Sequence, residues 1–208
     1  MFDQLIGLVL LGLGIRTTLP GSVKGDTTTS AQLHSVSREQ FLRSIQSEKA
    51  RALEASHEAR LQFREKLKTV ADARKKTIVS NVDAKMSQIN TQRTDVWTNQ
   101  LNKMSQILER VSVQASGAGA GGSDTAAVDE AIISAQTAIQ AAQDAVTAQA
   151  GKQYVVAITT ENALKATVAT TTRTFKQDIT SVQRSITEAR NAVHSAIQTL
   201  NQIASPTP

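Results

Sequence analysis

Proline is absent from the interior of this chain, which has none between Pro20 and Pro206. Proline removes a backbone donor and clashes with the preceding helical turn, so its absence leaves long helices uninterrupted. Aromatic residues make up only 3% of the 208 residues, and the apolar content is mostly Ala, Val, Ile and Leu. Such side chains suit thin, elongated packing better than a wide globular core. The predicted fold is all-α, an elongated antiparallel coiled coil or bundle of three helices.

The first predicted helix is very long. Ser37 and Gln40 form a capping-box pattern, which predicts a helix start at Ser37. No strong break follows before Ala115. Between residues 41 and 59 the apolar stripe is thin, which predicts that this part is exposed or only weakly paired. Further on, apolar residues recur in steps of three, four or seven, the spacing of a coiled-coil seam: Phe63, Leu67, Val70, Ile78, Val82, Ile89, Trp97, Leu101, Met104, Leu108 and Val111.

A glycine-rich stretch at 115–123 predicts a flexible hairpin tip, since it holds four of the ten glycines. The second predicted helix runs from about Ala126 to Ala150. Acidic residues near its start complement the helix dipole. Its stripe alternates steps of four and three, which predicts close packing: Val128, Ile132, Ala135, Ile139, Ala142 and Val146.

Residues 151–160 read as an extended crossover, because they are short, β-branched and have no other strand to join. A third helix follows, capped by Thr159 or Thr160 and carrying a stripe from Leu164 to Ile203. Two directions stay open for it. A tight reversal lets it overshoot the glycine-rich tip, and a continuation makes one long hairpin. In the first case the last turns of this helix lack a partner within the chain, and in the second the helix faces the thin stripe of residues 41–59. Oligomerisation would resolve either conflict.

The N-terminal region, residues 1–31, is predicted to lie outside the helical region 32–208. Leu5 to Ile15 is an unbroken apolar run, shorter than the roughly 20 residues that cross a bilayer. Its length matches the hydrophobic part of an export signal, although the usual basic residues before it are missing. A short hydrophobic anchor is the alternative. Residues 17–31 are rich in Thr, Ser, Gly and Pro and predict a flexible linker.

Positive charge is concentrated between residues 60 and 76. Seven basic residues against two acidic ones give an excess of five there, equal to the formal net charge of the whole chain, +5. One interpretation is a solvated helix face. The other is a binding site for an anionic membrane, wall polymer or nucleic acid. The candidate residues are Arg60, Arg64, Lys66, Lys68, Arg74, Lys75 and Lys76.

Motifs for catalysis or cofactor binding are missing from the sequence. There is no cysteine, and the three histidines are far apart. The glycines of 115–123 lie between two helices rather than after a strand, so they do not form a phosphate-binding loop. We therefore expect no catalytic residue, metal site, cofactor or small-molecule substrate, and no enzymatic activity.

Two stretches resemble a known group of proteins: KKTIVSNVDAKMSQINTQRTDVWTNQLNKMSQILERV at 75–111 and AGKQYVVAITTENALKA at 150–166. The sequence is similar to uncharacterised exported helical proteins of bacteria with very small genomes, over about two thirds of the chain. The resemblance implies export and a helical architecture. It implies no activity and no site residues.

The expected function is that of a structural or interaction protein: an exported or envelope-associated helical scaffold that binds partner helices, including copies of itself. A cytoplasmic location stays open. The alternative function is a binding module that uses residues 60–76.

Overall fold

The computed structural model describes residues 27–204, and the side chains of residues 38–203. This part of the chain is all-helical and contains no strand. It forms four helices, α1 (Thr27–Lys68), α2 (Ala73–Ala120), α3 (Ala126–Ala150) and α4 (Leu164–Ala204). The predicted export signal and most of the predicted linker lie outside the described residues.

The very long first helix is not observed, because the chain reverses at residues 69–72 and divides it into α1 and α2. The backbone N–H of Thr69 bonds to the carbonyl of Lys66, and its hydroxyl bonds to the same carbonyl. Asp72 then caps α2, accepting from the N–H groups of Arg74 at 2.8 Å and Lys75 at 3.2 Å. Side-chain bonds to the backbone therefore end one helix and begin the next without glycine or proline.

The start of α1 also differs from the prediction. The helix begins at Thr27, so Ser37 lies within it and residues 27–31 of the predicted linker are helical. Phe41 and Ile45 are buried, 5% and 4% exposed, where weak pairing was expected. Leu53, in contrast, is 72% exposed.

Ion pairs show that α1 and α2 are antiparallel. Arg38 pairs with Glu109, Lys49 with Asp95, and Arg60 with Asp83, so positions rise along α1 as they fall along α2.

The glycine turn is shorter than the predicted tip, because α2 extends to Ala120. The N–H of Gly121 bonds to the carbonyl of Gly117, and Gly122 adopts a φ of 89°, which favours glycine. The chain then reverses into α3, which is antiparallel to α2 and spans the predicted residues Ala126–Ala150.

Residues 151–163 continue in the direction of α3 along α2, as an extended segment followed by a turn. Val156 N–H bonds to Asp83, and Glu161 pairs with Lys75 near the start of α2. Only then does the chain reverse into α4, which is parallel to α2. The extended segment thus runs along the part of α2 that the shorter α3 does not reach. Neither of the two predicted directions, the tight reversal or the continuation, fully describes the third predicted helix.

The four helices form a bundle in which α2 and α3 are central. Both α1 and α4 pack against α2 and α3, while α1 and α4 do not touch each other within the described residues. Two apolar clusters fill the interior. The glycine-turn cluster includes Trp97, Leu101, Ile139 and Ile186. The hairpin-end cluster includes Phe63, Val79, Val156 and Phe175.

Candidate functional site

A layer of polar side chains separates the two apolar clusters. Asn90 lies between Met86 and Trp97 on α2, Gln149 follows Val146 on α3, and Asp178 lies between the core residues of α4. Asn90 and Gln149 are 8% and 1% exposed. Burying such groups costs free energy unless they are hydrogen-bonded, so their bonds determine whether the bundle can close here. We call Asn90, Gln149, Lys152, Tyr154 and Asp178 the polar layer.

A network of hydrogen bonds connects the side chains of this layer. The side-chain amide of Gln149 donates to Asn90 Oδ1 at 2.7 Å and to Tyr154 Oη at 2.8 Å. Asn90 Nδ2 donates to the carbonyls of Gln149 and Lys152, both at 3.2 Å. Tyr154 donates in turn to Asp178 at 2.7 Å. Every amide proton of Asn90 and Gln149 is used, which fixes the orientation of both amides.

This arrangement shifts the pKa values of Tyr154 and Asp178. Burial, and then the bond to Asp178, raise the pKa of Tyr154 above its usual value. Burial opposes ionisation of Asp178, but the bonds from Tyr154 and Lys152 outweigh it and lower the pKa of Asp178. The Tyr154 ring also meets Phe175 edge to face, with centroids 4.8 Å apart. The layer therefore holds a neutral phenol and an ionised carboxylate at neutral pH.

A second polar contact lies nearer the hairpin end. Asp83 is 3% exposed, and its carboxylate accepts from Arg60 at 3.0 Å and from the N–H of Val156 at 3.3 Å. A buried carboxylate needs such partners, because an uncompensated charge is costly in the interior. Asp83 therefore joins α2 to α1 through Arg60 and to the extended segment through Val156.

The hairpin turn brings the seven predicted basic residues to one end of the bundle, at the end of α1 and the start of α2. Several of them have partners within the molecule. Besides the Arg60 pair, Lys68 pairs with Glu65 at 2.7 Å, and Lys75 pairs with Glu161 at 2.9 Å. Lys76 Nζ donates to the carbonyl of Lys68. Of the seven, four have no ion pair among the described residues: Lys76 and the three exposed residues Arg64, Lys66 and Arg74.

Glu161 ties the hairpin turn to the segment before α4. It accepts from Lys75 Nζ at 2.9 Å and from the N–H of Ala71 at 3.2 Å. The bond from Lys75 lowers the pKa of Glu161, and the same contact raises the pKa of Lys75. Lys75 is thus occupied by a structural contact.

A cleft of about 190 Å³ lies between α1 and the polar layer. Three cations line it, and each already has an acidic partner: Lys49 has Asp95, Arg60 has Asp83, and Lys152 has Asp178. The cleft therefore offers no free charge to a ligand.

No group of three or more His, Asp or Glu side chains in residues 27–204 is arranged to hold a metal ion. Within the same range, no helix is both long and apolar enough to cross a membrane.

The chain matches no protein-family model, curated protein or solved structure in comparisons with known proteins.

Sequence reasoning missed the polar layer. Its members are up to 88 positions apart, from Asn90 to Asp178, and no local motif links them. A signal was nevertheless present, since Asn90 and Gln149 fall at helical spacing from core residues of their own helices.

Proposed function

We propose that this protein is a non-enzymatic helical scaffold that acts through its surfaces. The observation that supports this is the use of the buried polar groups. The side chains of Asn90, Gln149 and Tyr154 spend their donors on bonds between α2, α3, the extended segment and α4. The buried carboxylate of Asp83 accepts from Arg60 and so joins α1 to α2. Polar groups that specify how helices pair serve architecture.

The scaffold is elongated, and helices that follow one another along the chain are antiparallel. α2 has 48 residues, which corresponds to roughly 70 Å at the α-helical rise. Exposed apolar side chains on α1 and α3, Leu53 at 72% and Ile133 at 62%, are available to partner helices or to a second copy.

A photo-crosslinking experiment in intact cells tests the scaffold proposal. A photoreactive amino acid is placed at Leu53 or Ile133, and at buried Ala135 as the control. Discrete adducts are expected from the exposed positions only. Their absence from both, together with a monomeric mass in sedimentation, contradicts the proposal.

We further propose that the scaffold is exported or associated with the cell envelope. The support is the apolar run from Leu5 to Ile15, which lies outside the described residues, and the resemblance noted for 75–111 and 150–166. Cell fractionation followed by N-terminal sequencing of the protein tests this. Recovery from the cytosol with Met1 still in place would remove the envelope proposal.

A second candidate function is binding of an anionic polymer or surface by the hairpin end. Arg64, Lys66 and Arg74 support it, because all three are exposed and have no ion pair among the described residues. Changing the three to Gln should abolish salt-sensitive binding of an anionic polymer while preserving helical content, since Gln is a good helix former. Arg60 and Lys75 are poor choices for that test because both stabilise the bundle.

A further inference from the structure

Positive charge is also concentrated along one side of the bundle, where α4 lies beside α2. Trp97 Nε1 donates to Gln183 Oε1 at 3.2 Å, which places the Gln183 side of α4 against α2. Residues in steps of seven or eleven from Gln183 share its side of the helix. Three of them are exposed cations: Lys165, Lys176 and Arg190.

Exposed cations also lie on the side of α2 that borders α4. Ile78 and Lys75 line a groove with Leu164 and Lys165, so this side of α2 borders α4. Residues at helical spacing from Ile78 share its side of α2. They include Val96, Ile107 and three further exposed cations, Lys85, Lys103 and Arg110. We call these three and the three cations of α4 the α2–α4 basic face.

None of the six cations forms an ion pair within the described part of the chain. The acidic residues of both helices are directed elsewhere. The three acidic residues of α2 pair with cations of α1: Asp83, Asp95 and Glu109. On α4, Asp178 pairs with Lys152, and Glu188 lies two residues from Arg190 and so on another side. The positive charge of this face is therefore not neutralised by the protein itself.

Aliphatic side chains lie between these cations. Ile78, Val96 and Ile107 are 59%, 48% and 39% exposed, and they occupy the same side of α2 as Lys85 and Lys103. The single tryptophan, Trp97, is 1% exposed, so it cannot stack on a nucleic-acid base. Cations interleaved with exposed aliphatic groups fit a lipid headgroup surface, where the charges meet phosphates and the aliphatic groups enter the interface. A site for single-stranded nucleic acid favours exposed aromatic platforms instead.

We propose that the α2–α4 basic face binds the surface of an anionic lipid bilayer, with the two parallel helices lying flat on it. This goes beyond the scaffold function and uses residues outside the hairpin end. Binding is reversible and weakens as salt rises, because the Debye length falls from about 10 Å at 0.1 M to about 3 Å at 1 M.

Co-sedimentation of the full chain with lipid vesicles tests the proposal. Vesicles of phosphatidylcholine, with or without one third phosphatidylglycerol, are mixed with three proteins: the wild type, a face variant and an end variant. The face variant carries K103Q, R110Q and R190Q. The end variant, which removes the same charge, carries R64Q, K66Q and R74Q. Circular dichroism checks that all three are equally helical.

The wild type should bind only the vesicles that contain phosphatidylglycerol. The face variant should bind them at least tenfold more weakly, and the end variant less than threefold more weakly. Equal losses in both variants would mean that net charge alone drives binding, and would overturn the proposal. So would failure of the wild type to bind at low salt.

A third variant, V96S with I107S, distinguishes binding of a bilayer from binding of a nucleic acid. It should weaken vesicle binding and leave the weak binding of a short DNA duplex unchanged. The lipid assignment is overturned if the duplex binds more tightly than the vesicles at equal salt. It is also overturned if the face variant abolishes self-association of the lipid-free protein, since the face would then bind a second copy.

Discussion

The hydroxyl of Tyr154 donates a hydrogen bond of 2.7 Å to Oδ2 of Asp178 and accepts one from Gln149. The contact joins the extended segment to α3 and α4 at the level where the apolar core is interrupted. Together with the bond from Val156 to Asp83 and the pair of Glu161 with Lys75, it places the extended segment along α2, and α4 then begins beside the start of α2. The placement of α4 therefore depends on a polar contact as well as on apolar burial.

Tyr154 should resist ionisation in the folded protein. Its pKa is raised when folded, so the stability it contributes is fully present below the unfolded pKa of about 10 and is lost as pH rises through the higher folded value. It is the only tyrosine, so phenolate absorbance reports on it alone. The folded protein should titrate well above the urea-unfolded protein. Coincident titration curves would show that the Tyr154 hydroxyl is in water.

Asp178 should make the protein sensitive to acid. Its pKa is lowered when folded, so its contribution is present above the unfolded pKa of about 3.9 and is lost as pH falls through the folded value. Asp178→Asn should be less stable than the wild type at pH 7 and should lose less stability between about pH 5 and pH 2. Urea denaturation across this range measures both effects. Parallel pH profiles for the two proteins would contradict the pairing with Tyr154 and Lys152.

Two isoleucines of α3 provide a matched test of the core. Ile139 is 5% exposed and belongs to the glycine-turn cluster, whereas Ile133 is 62% exposed on the same helix. Ile139→Asp should destabilise the protein by several kcal/mol, about 3 or more, because it buries an unpaired carboxylate. Ile133→Asp should change the free energy of unfolding by less than about 0.5 kcal/mol. Similar melting temperatures for the two variants would show that α3 is oriented differently.

Arg60 and Arg64 lie one turn apart on α1 but should behave differently. Arg60 compensates buried Asp83, while Arg64 has no partner among the described residues. Arg60→Gln should cost about 1–3 kcal/mol, because it leaves a buried carboxylate short of a partner. Arg64→Gln should be neutral within about 0.5 kcal/mol. Thermal unfolding of the two variants measures the difference, and equal stability would mean that the Arg60 contact contributes nothing.

The sequence predicts those elements best that have an uninterrupted apolar period. Every stripe residue listed for the second predicted helix is buried, and so are Trp97, Leu101, Met104, Leu108 and Val111. In α4, Leu164, Phe175, Val182 and Ile186 are buried as well. The period works here because side chains at these spacings share one side of a helix, whichever partner covers it.

The same reasoning fails where the chain turns without glycine or proline. Ile78 was assigned to the buried stripe by continuing the period across Val70, but it is 59% exposed, and its neighbour Val79 is buried instead. The turn at 69–72 restarts the helix and shifts its phase. The basic residues 60–76 were consequently treated as one helix face, although they lie on two antiparallel helices, and Arg60 and Lys75 pair with acids distant in sequence.

Asp72 should be the residue that starts α2, and Thr125 provides the control. Asp72 accepts hydrogen bonds from two N–H groups at the start of α2, whereas Thr125, at the same position before α3, makes no such bond to the backbone. Asp72→Ala should therefore cost about 0.5–2 kcal/mol, as loss of an N-cap does. Thr125→Ala should cost less than about 0.5 kcal/mol, because it removes only an exposed contact with Asp129. Urea denaturation of both variants, followed by the fluorescence of Trp97, measures the two costs. If Asp72→Ala is as stable as the wild type, the reversal at 69–72 is imposed by the packing of α1 on α2 and not by the cap.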